Sequence, residues 1–596
     1  MRPVISAAAC LTLPIAALAQ NLGSPPTGTF PAPSTPQYQT PTVPPKSEYQ
    51  LPTVPVSPTG GAPATSGGAQ MFVKHIDVRG VTAFKAADIA AITKPYENRV
   101  VTASELEQLR VALTRLYVDK GYINSGVILP DQNSRDGVVV FQAIEGKLSE
   151  VQVNGNTHLN PKYLSSRVQS HLETPLNVEA LQQALRYLQQ DPNVARLDAR
   201  LSPGDVPGQS VLHLGVEDQP RFNAGLFADN HQSPSIGSGE AGVTFGFRDL
   251  TGYGDEFKGS VSHYDSDWFG SAVFAMPISA NNTSFQGYYS RSNAVIIQQP
   301  FEPLNIKETV QTYGLLFTVP MLDRLTNRLA FFLGGEVNHS YTELLGAGFS
   351  FSPGAQNGAS RVTQVYGGLD WLLRGASSVA DLRLTYRRGI DALEATTESP
   401  PPNDIYNPNP TGATAIFGLE QLQFVYIQRL NGFSIFSKVN DRAQFLIRAT
   451  GQISQDPLLS VMKMPVGGVD TVRGFPENSF VRDNGAAATL ELQLPVPGYR
   501  ATPHWSNFVL APFVDWGRSW DKVNTQPGSG YDTTVPRHMA SAGVGLLWNP
   551  FNGFDATVYW GRNIANNFDG YDPRNYVPHD LQYEGISFAV NFTYRW

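Results

Sequence analysis

The last eleven residues, ISFAVNFTYRW (586–596), alternate without interruption between large apolar side chains and small or polar ones. A period of two is typical of a β-strand with one apolar face and one polar face. Chain termini are usually frayed and polar unless something holds them in place. An amphipathic strand at the very end of the chain therefore predicts a partner strand and an apolar environment for its outer face.

The same alternation runs through residues 220–596, where short strand-like runs are separated by Gly, Asn, Asp, Ser and Pro turns. In AATLELQLP (487–495), three leucines share one face, with Glu491 and Gln493 on the other. Two architectures fit: a soluble propeller or sandwich array, and a transmembrane barrel. A propeller predicts a blade repeat of about 40 to 50 residues, which we do not find. Aromatic residues near strand ends and connections of unequal length favour a membrane barrel, with roughly 24 residues for each of sixteen strands and its connection.

Composition and the N terminus indicate the compartment. The 596 residues are 16% charged with a net charge of −8, and no basic stripe is present, which argues against nucleic-acid binding. Residues 1–20 combine an early arginine, an apolar run and a small-residue cleavage pattern, which predicts a secretory signal peptide. Cys10 is the only cysteine. Since most of the apolar run follows Cys10, we reject a lipoprotein site and expect a mature protein without disulfide or thiolate chemistry.

Two similar modules lie between the N terminus and the barrel region. Residues 21–70 are rich in Pro, Thr, Ser and Gly and predict an extended linker. Residues 71–146 and 147–219 each show the order β-α-α-β-β. Aligning IDVRGVTAF (76–84) with VQVNGNTHL (151–159) gives a period near 75 residues. The predicted fold class is therefore mainly β, with a C-terminal 16-stranded transmembrane β-barrel preceded by two small α+β domains.

Two short motifs in the barrel region carry a family resemblance. GGVDTVRGF (467–475) contains Val472, Arg473, Gly474 and Phe475, and FVDWG (513–517) contains Phe513, Asp515 and Gly517. Combined with the tether, the two modules and the aromatic C terminus, they resemble the two-partner secretion transporters, the TpsB family of haemolysin-activator and filamentous-haemagglutinin-transporter type. The modules resemble POTRA domains.

The resemblance implies where the motifs lie. The family carries its VRGF signature at the tip of the sixth extracellular loop, between strands eleven and twelve of sixteen. Five strand-like runs follow the signature here, at about 485–494, 506–516, 540–548, 553–562 and 585–596. On the last of these, Phe592, Tyr594 and Trp596 form the apolar C-terminal strand signal, with Trp596 expected in an interfacial girdle.

Elementary electrostatics predicts where the Arg473 side chain lies, without using the resemblance. A cation on the lipid face costs roughly 2–4 kcal/mol near the midplane, so Arg473 should face the lumen and find an acceptor. Asp515 is the natural candidate, because an arginine–carboxylate pair can be bidentate. The family implies the same, with the loop folded into the pore and its arginine docked near that aspartate. The alternative is a solvated loop arginine unrelated to Asp515.

The modules and the linker raise separate expectations. A small sheet with an exposed edge beside helices suits capture of an extended chain by β-augmentation, although the modules could be structural spacers. The family reading is that they bind an unfolded exoprotein in the periplasm and pass it into the pore. Family members often carry a plug helix before the first module. Twelve prolines between residues 25 and 63 argue against a long helix there.

These expectations combine into a predicted function. The sequence predicts an outer-membrane transporter with periplasmic N-terminal domains that moves one secreted exoprotein (adhesin, haemolysin or contact-dependent toxin), unfolded, to the cell surface. We expect contact with outer-membrane lipid, insertion by the barrel-assembly machinery, no cofactor and no metal. Since GxSxG, HExxH, P-loop and cysteine-pair motifs are absent, no enzyme activity is expected. The alternatives are a barrel-assembly factor of the same superfamily, a small-solute channel and, more remotely, an enzyme on a barrel.

Overall fold

The computed structural model describes residues 19–21, 24–27, 70–133, 136–265, 267–299, 301–350, 354–398, 412–430, 443–496, 498–500, 502–525, 532–566 and 580–596. The chain divides into an α+β unit and a β-barrel unit, with the division at residues 219 and 220 and residues 251–254 grouped with the α+β unit. Ahead of the first domain, Ala19–Asn21 and Ser24–Thr27 pair antiparallel. The remainder of the predicted signal peptide, most of the linker and the region of a plug helix lie outside the described residues.

The first small domain has a three-stranded sheet and a separate two-stranded one. The sheet order is β2-β5-β4, with β2 parallel to β5, while β1 pairs only with β3. Its core contains Leu109, Leu113, Tyr117 and Phe141, all fully buried. Its elements are β1 Gln70–Val73, β2 His75–Arg79, α1 Ala86–Thr93, a 3₁₀ turn Lys94–Tyr96, β3 Arg99–Thr102, α2 Ala103–Asp119, β4 Gly126–Ile128 and β5 Val138–Ile144.

A capping box formed by Thr102 and Glu105 opens α2. The Thr102 side chain accepts from the Glu105 backbone N–H at 3.2 Å, and the Thr102 backbone N–H donates to Glu105 Oε2 at 2.7 Å. This backbone bond, followed by the contact with Arg99, lowers the pKa of Glu105 to about 2. The helix closes at Gly121, whose φ of 87° lies in the left-handed region.

The second small domain has the predicted order of elements. These are β6 Lys147–Asn154, α3 Pro161–Gln169, α4 Val178–Gln189, β7 Val194–Pro203 and β8 Gln209–Asp218. The sheet order is β6-β8-β7, with β6 parallel and β7 antiparallel to the central strand. The first domain departs from the predicted order, because Arg99–Thr102 forms an extra strand between its helices. The predicted boundary at residues 146 and 147 stays a prediction.

The barrel is closed and has sixteen antiparallel strands, as predicted. The additional two-residue strand Ala347–Gly348 belongs to an outer loop and pairs only with the end of the seventh barrel strand. No helix among the described residues is long and apolar enough to cross a membrane. The barrel strands are β9 Phe222–Asp229, β10 Glu240–Arg248, β11 Glu256–Tyr264, β12 Asp267–Pro277, β13 Ser284–Val295, β14 Lys307–Asp323, β15 Asn327–Leu344, β16 Ala359–Arg374, β17 Ser378–Gly389, β18 Gly418–Arg429, β19 Gln444–Ser454, β20 Asn484–Pro495, β21 Phe508–Trp520, β22 Arg537–Trp548, β23 Phe554–Asn566 and β24 Ile586–Arg595.

The last strand closes the barrel against the first. β24 pairs antiparallel with β9 from Asn223↔Arg595 to Asp229↔Ala589. Beyond the ladder, the Trp596 N–H donates to the Phe222 carbonyl at 3.0 Å, and the two rings stack at 6.2 Å between centroids. The terminus therefore ends on an apolar strand because its backbone is paired and its outer face is in lipid.

Each barrel strand separates a lumen face from a lipid face. In β21, Phe513 and Asp515 are 3% and 0% exposed, whereas the alternate residues Val514 and Trp516 are 48% and 41% exposed. This alternation places every second residue of the FVDWG motif inside the barrel.

Candidate functional site

The 29-residue connection between β19 and β20, residues 455–483, carries the VRGF motif and is called the signature loop below. Two short strands, Met464–Val466 and Phe480–Arg482, pair antiparallel within it. Its turns use Gly467, Gly468 and Gly474 at φ values of 116°, 98° and 87°, which L-residues with a Cβ rarely adopt. The loop thus reverses direction with Arg473 at its tip.

Arg473 docks on Asp515 of the barrel wall. Its Nε donates to Asp515 Oδ2 and its Nη2 to Oδ1, both at 2.9 Å, and its backbone N–H also donates to Oδ2 at 2.9 Å. The two side chains are 5% and 0% exposed. This bidentate geometry is strict, since only a guanidinium offers two parallel donors to one carboxylate.

A second carboxylate completes the ion cluster. Arg473 Nη1 donates to Oε2 of Glu491, whose side chain is 3% exposed. Glu491 lies on β20, the strand that follows the loop, and sequence reasoning did not connect it with Arg473. A signal was present, because Glu491 is an acidic residue on the lumen face of the strand neighbouring β21. One buried cation therefore faces two buried anions.

Aromatic rings enclose the guanidinium. Its Cζ lies 3.7 Å from the ring centroid of Phe513 and 4.7 Å from that of Tyr559. Such contacts between a cation and a ring face stabilise the cation more when water is excluded. The first residue of the FVDWG motif thus has a direct role in the pocket, whereas Tyr559, on β23, lay outside the predicted site.

The last motif residue, Gly517, accommodates the side chains of the loop. A Cβ placed on Gly517 would lie 2.6 Å from a methyl group of Val466 and 2.7 Å from one of Val472. Val472 is fully buried and packs with Val466 and Phe475 in an apolar cluster, together with Met464, Phe480 and Met539. The hydrophobic positions of the signature therefore pack the loop onto the wall around the ion cluster.

A second close approach joins the loop tip to β23. A Cβ on Gly561 would lie 2.9 Å from the Cα and N of Gly474 and 3.0 Å from the carbonyl oxygen of Arg473. These are backbone atoms, so the absence of a side chain on Gly561 is what permits the contact. No local pattern around Gly561 indicates this role.

The loop also contacts the last outer connection of the barrel. The Glu477 backbone N–H donates to Gln582 Oε1 at 2.7 Å. Gln582 Nε2 in turn donates to the carbonyl of Gln232 at 2.6 Å. Gln582 is 4% exposed, and it ties the loop to the outer loops on both sides of the β9–β24 seam.

The predicted C-terminal residues lie apart from this cluster. Phe592, Tyr594 and Trp596 are 38%, 61% and 56% exposed on the outer face of the barrel. Tyr594 and Trp596 stack at 5.7 Å between ring centroids. Their position fits an interfacial girdle rather than the pore.

Comparison with known proteins assigns the chain to a family. The family described as haemolysin secretion/activation protein ShlB/FhaC/HecB matches residues 208–547. The chain belongs to this family. The ShlB-type POTRA domain matches residues 71–146. These matches confirm the resemblance to two-partner secretion transporters drawn from the motifs. The protein is therefore an outer-membrane protein whose POTRA domains lie in the periplasm.

Relatives of the chain cover most of its length. The outer membrane transporter CdiB of Dickeya dadantii (strain 3937) is 25% identical over 491 residues, 77% of this chain and 79% of the relative. The heme/hemopexin transporter protein HuxB of Haemophilus influenzae (strain 86-028NP) is 22% identical over 495 residues, 82% of each. The solved structure of CdiB from Escherichia coli is 19% identical and covers 91% of this chain and 94% of its own, with a TM-score of 0.63, which supports the fold.

The two carboxylates of this ShlB/FhaC/HecB member should contribute unequally. Glu491→Gln keeps the bidentate contact with Asp515 and removes one of two anions, so we expect a partial loss of secretion. Asp515→Asn removes the bidentate partner and should be more severe, since a broken buried pair costs roughly 3–5 kcal/mol. Both are measured as exoprotein released into the medium at equal barrel abundance.

The matched control for these two variants is Glu394→Gln, which changes a glutamate whose side chain is 85% exposed on an outer loop. It should secrete normally. A Glu491→Gln variant as defective as Asp515→Asn would contradict the ranking.

Proposed function

We propose that this protein takes one partner exoprotein from the periplasm and translocates it, unfolded, through its barrel to the cell surface. The observation that carries the proposal is the signature loop docked inside the barrel by Arg473, Asp515 and Glu491. A loop held within the lumen by a compact set of polar contacts can be displaced by a passing chain.

The transport step is proposed to need no catalysis. Folding of the exoprotein outside the cell would supply the driving force. The names of relatives in this family refer to haemolysin and to heme/hemopexin, so we place the partner in the class of large secreted exoproteins. Two further partners are proposed: outer-membrane lipid, which contacts the outer face of the barrel, and the barrel-assembly machinery, which inserts it.

The first small domain is poorly suited to bind a strand of the exoprotein, because side chains already bond to the backbone of both edge strands of its sheet. On β2, the Ile76 N–H donates to Glu97 Oε1 at 2.9 Å. On β4, the Val127 N–H donates to Thr114 Oγ1 at 3.0 Å, and Arg110 Nη1 donates to the Val127 carbonyl at 3.2 Å. Side chains thus satisfy backbone groups that an added strand would need.

The second small domain offers a better edge on β7. Its other edge strand, β6, carries a register shift near Ser149 that interrupts regular pairing. The register of β7 against β8 is regular from Arg196 to Pro203. Among the described residues, the outward N–H groups of Leu197, Ala199 and Leu201 have no side-chain partner. We therefore propose β7 as the strand that the exoprotein extends.

A photo-crosslinking experiment tests this edge. A photoreactive residue replacing Arg200, exposed on β7, should capture the exoprotein during secretion. The same residue replacing Ile128, exposed on the occupied edge strand β4, is the matched control and should capture much less. Equal capture at both positions would contradict the choice of edge.

The function itself is tested by comparing secreted and outer-membrane proteomes of cells with and without this protein. Loss of one large exoprotein from the medium, with other barrels unchanged, is the expected result. A broad fall in outer-membrane barrels would instead favour a barrel-assembly factor.

A further inference from the structure

The base of the signature loop contains its own buried ion cluster, separate from the one at the tip. Lys463 immediately precedes the short strand Met464–Val466, and Asp483 immediately follows Phe480–Arg482. Lys463 Nζ lies 3.2 Å from Asp483 Oδ1 and 2.7 Å from Asp521 Oδ1. The three side chains are at most 7% exposed. The two arms of the loop are thus joined where they enter the barrel.

Asp521 attaches this base to the barrel wall. It directly follows Trp520, the last residue of β21, the strand that also carries Asp515. Its Oδ1 additionally accepts the Asp483 backbone N–H at 3.1 Å, and Asp483 Oδ2 accepts the Lys522 backbone N–H at 2.9 Å. Each carboxylate therefore has a backbone donor besides the shared ammonium.

Arg482 adds contacts at the same level. Its Nη1 lies 3.3 Å from the carbonyl oxygens of Ser519 and Thr533, both on or beyond the outer end of β21. The base thus has three links to the wall, and none of them involves Arg473 or Glu491.

We infer that Lys463 is a positioning residue that holds the base of the loop on β21 when Arg473 leaves its carboxylates. The loop then swings about this base as a hinged hairpin and can return, rather than leaving the lumen as a free segment. This inference rests on the proposed function, because it describes how the gate of that pore is retained.

The charges make Lys463 the decisive member of the cluster. Without its ammonium, Asp483 and Asp521 would face each other as two buried anions, an arrangement that strongly disfavours the packed state. Removal of Arg473 leaves this cluster complete. The two anchors should therefore be released independently.

Cysteine accessibility on the purified full-length protein in detergent tests this independence without any exoprotein. Cys10 is the only native cysteine, and it lies in the predicted signal peptide. Val472→Cys reports on the tip and Met464→Cys on the base, both at positions 7% exposed or less. A bulky water-soluble maleimide should label either probe only after its anchor opens.

Arg473→Ala should give a severalfold rise in labelling at position 472 and leave position 464 protected. Lys463→Met should raise labelling at position 464 and leave position 472 protected. Lys463→Arg, which keeps the positive charge, should restore protection at position 464. Asp521→Asn gives a second route to base release if Lys463→Met lowers barrel yield.

Two outcomes overturn the inference: protection at position 464 in both Lys463→Met and Asp521→Asn, or simultaneous exposure of both probes by Arg473→Ala. Because the assay contains no exoprotein, its result is separate from success or failure of the secretion experiment.

Discussion

Replacing Arg473 with alanine should abolish most secretion while the barrel still inserts and folds. The variant leaves Asp515 and Glu491 buried without their cation, and breaking a buried pair in this way costs roughly 3–5 kcal/mol. The sixteen-stranded ladder does not include the signature loop, so the penalty falls on loop docking. Exoprotein in the medium measures the first effect, and heat-dependent gel migration of the barrel in the outer-membrane fraction measures the second.

A further variant separates charge from geometry at this position. Arg473→Lys keeps the cation but cannot donate to both oxygens of Asp515 while reaching Glu491, so we expect an intermediate defect. The control is Arg361→Ala, which removes an arginine near the start of β16 whose partner, Glu394, is exposed in the connection that follows β17, and it should secrete normally. Normal secretion by Arg473→Ala would remove the arginine from the mechanism.

Much of the barrel was predictable because a period of two is a direct consequence of strand geometry. The run predicted at 485–494 is Asn484–Pro495, and that predicted at 585–596 is Ile586–Arg595. The pair Arg473–Asp515 followed from the cost of an unpaired charge near lipid. The alternation of side chains was therefore enough to predict the strands, and the cost of an unpaired charge was enough to predict the ion pair.

The remainder of the pocket depends on register between strands, which local patterns do not encode. Glu491 lies opposite Phe513, Phe513 opposite Gly543, and Gly543 opposite Gly561. A slip of two residues would keep every side chain on its face yet move Glu491 and Gly561 away from Arg473. Charge and alternation alone therefore predict which residues face the lumen. They do not predict where along the barrel axis each of those residues lies.

The first small domain shows a different limit. RVVT (99–102) is only four residues long and lies between two helices, so it produced no recognisable alternation. It becomes a strand by pairing with Gln70–Val73, a partner far away in sequence. Short strands that depend on a partner far away in sequence are the elements that local sequence patterns predict least well.

Gly561→Ala should block loop docking almost as fully as loss of the arginine, although it changes no charge. The added Cβ would lie within 3.0 Å of backbone atoms of Arg473 and Gly474, and backbone at the tip can move away only by lifting Arg473 from Asp515. Alanine in an extended strand is itself tolerated, so the barrel should fold. Secretion, normalised to folded barrel, is the measurement.

The matched control is Gly451→Ala on β19, where an added Cβ would lie 3.7 Å from its nearest neighbour, the Gly485 carbonyl oxygen. It should secrete normally. The double variant Arg473→Ala with Gly561→Ala decides whether both act through docking. If they do, the second change adds little, because the contact it would prevent is already lost. Additive defects would mean that Gly561 serves the barrel in some way other than receiving the loop tip.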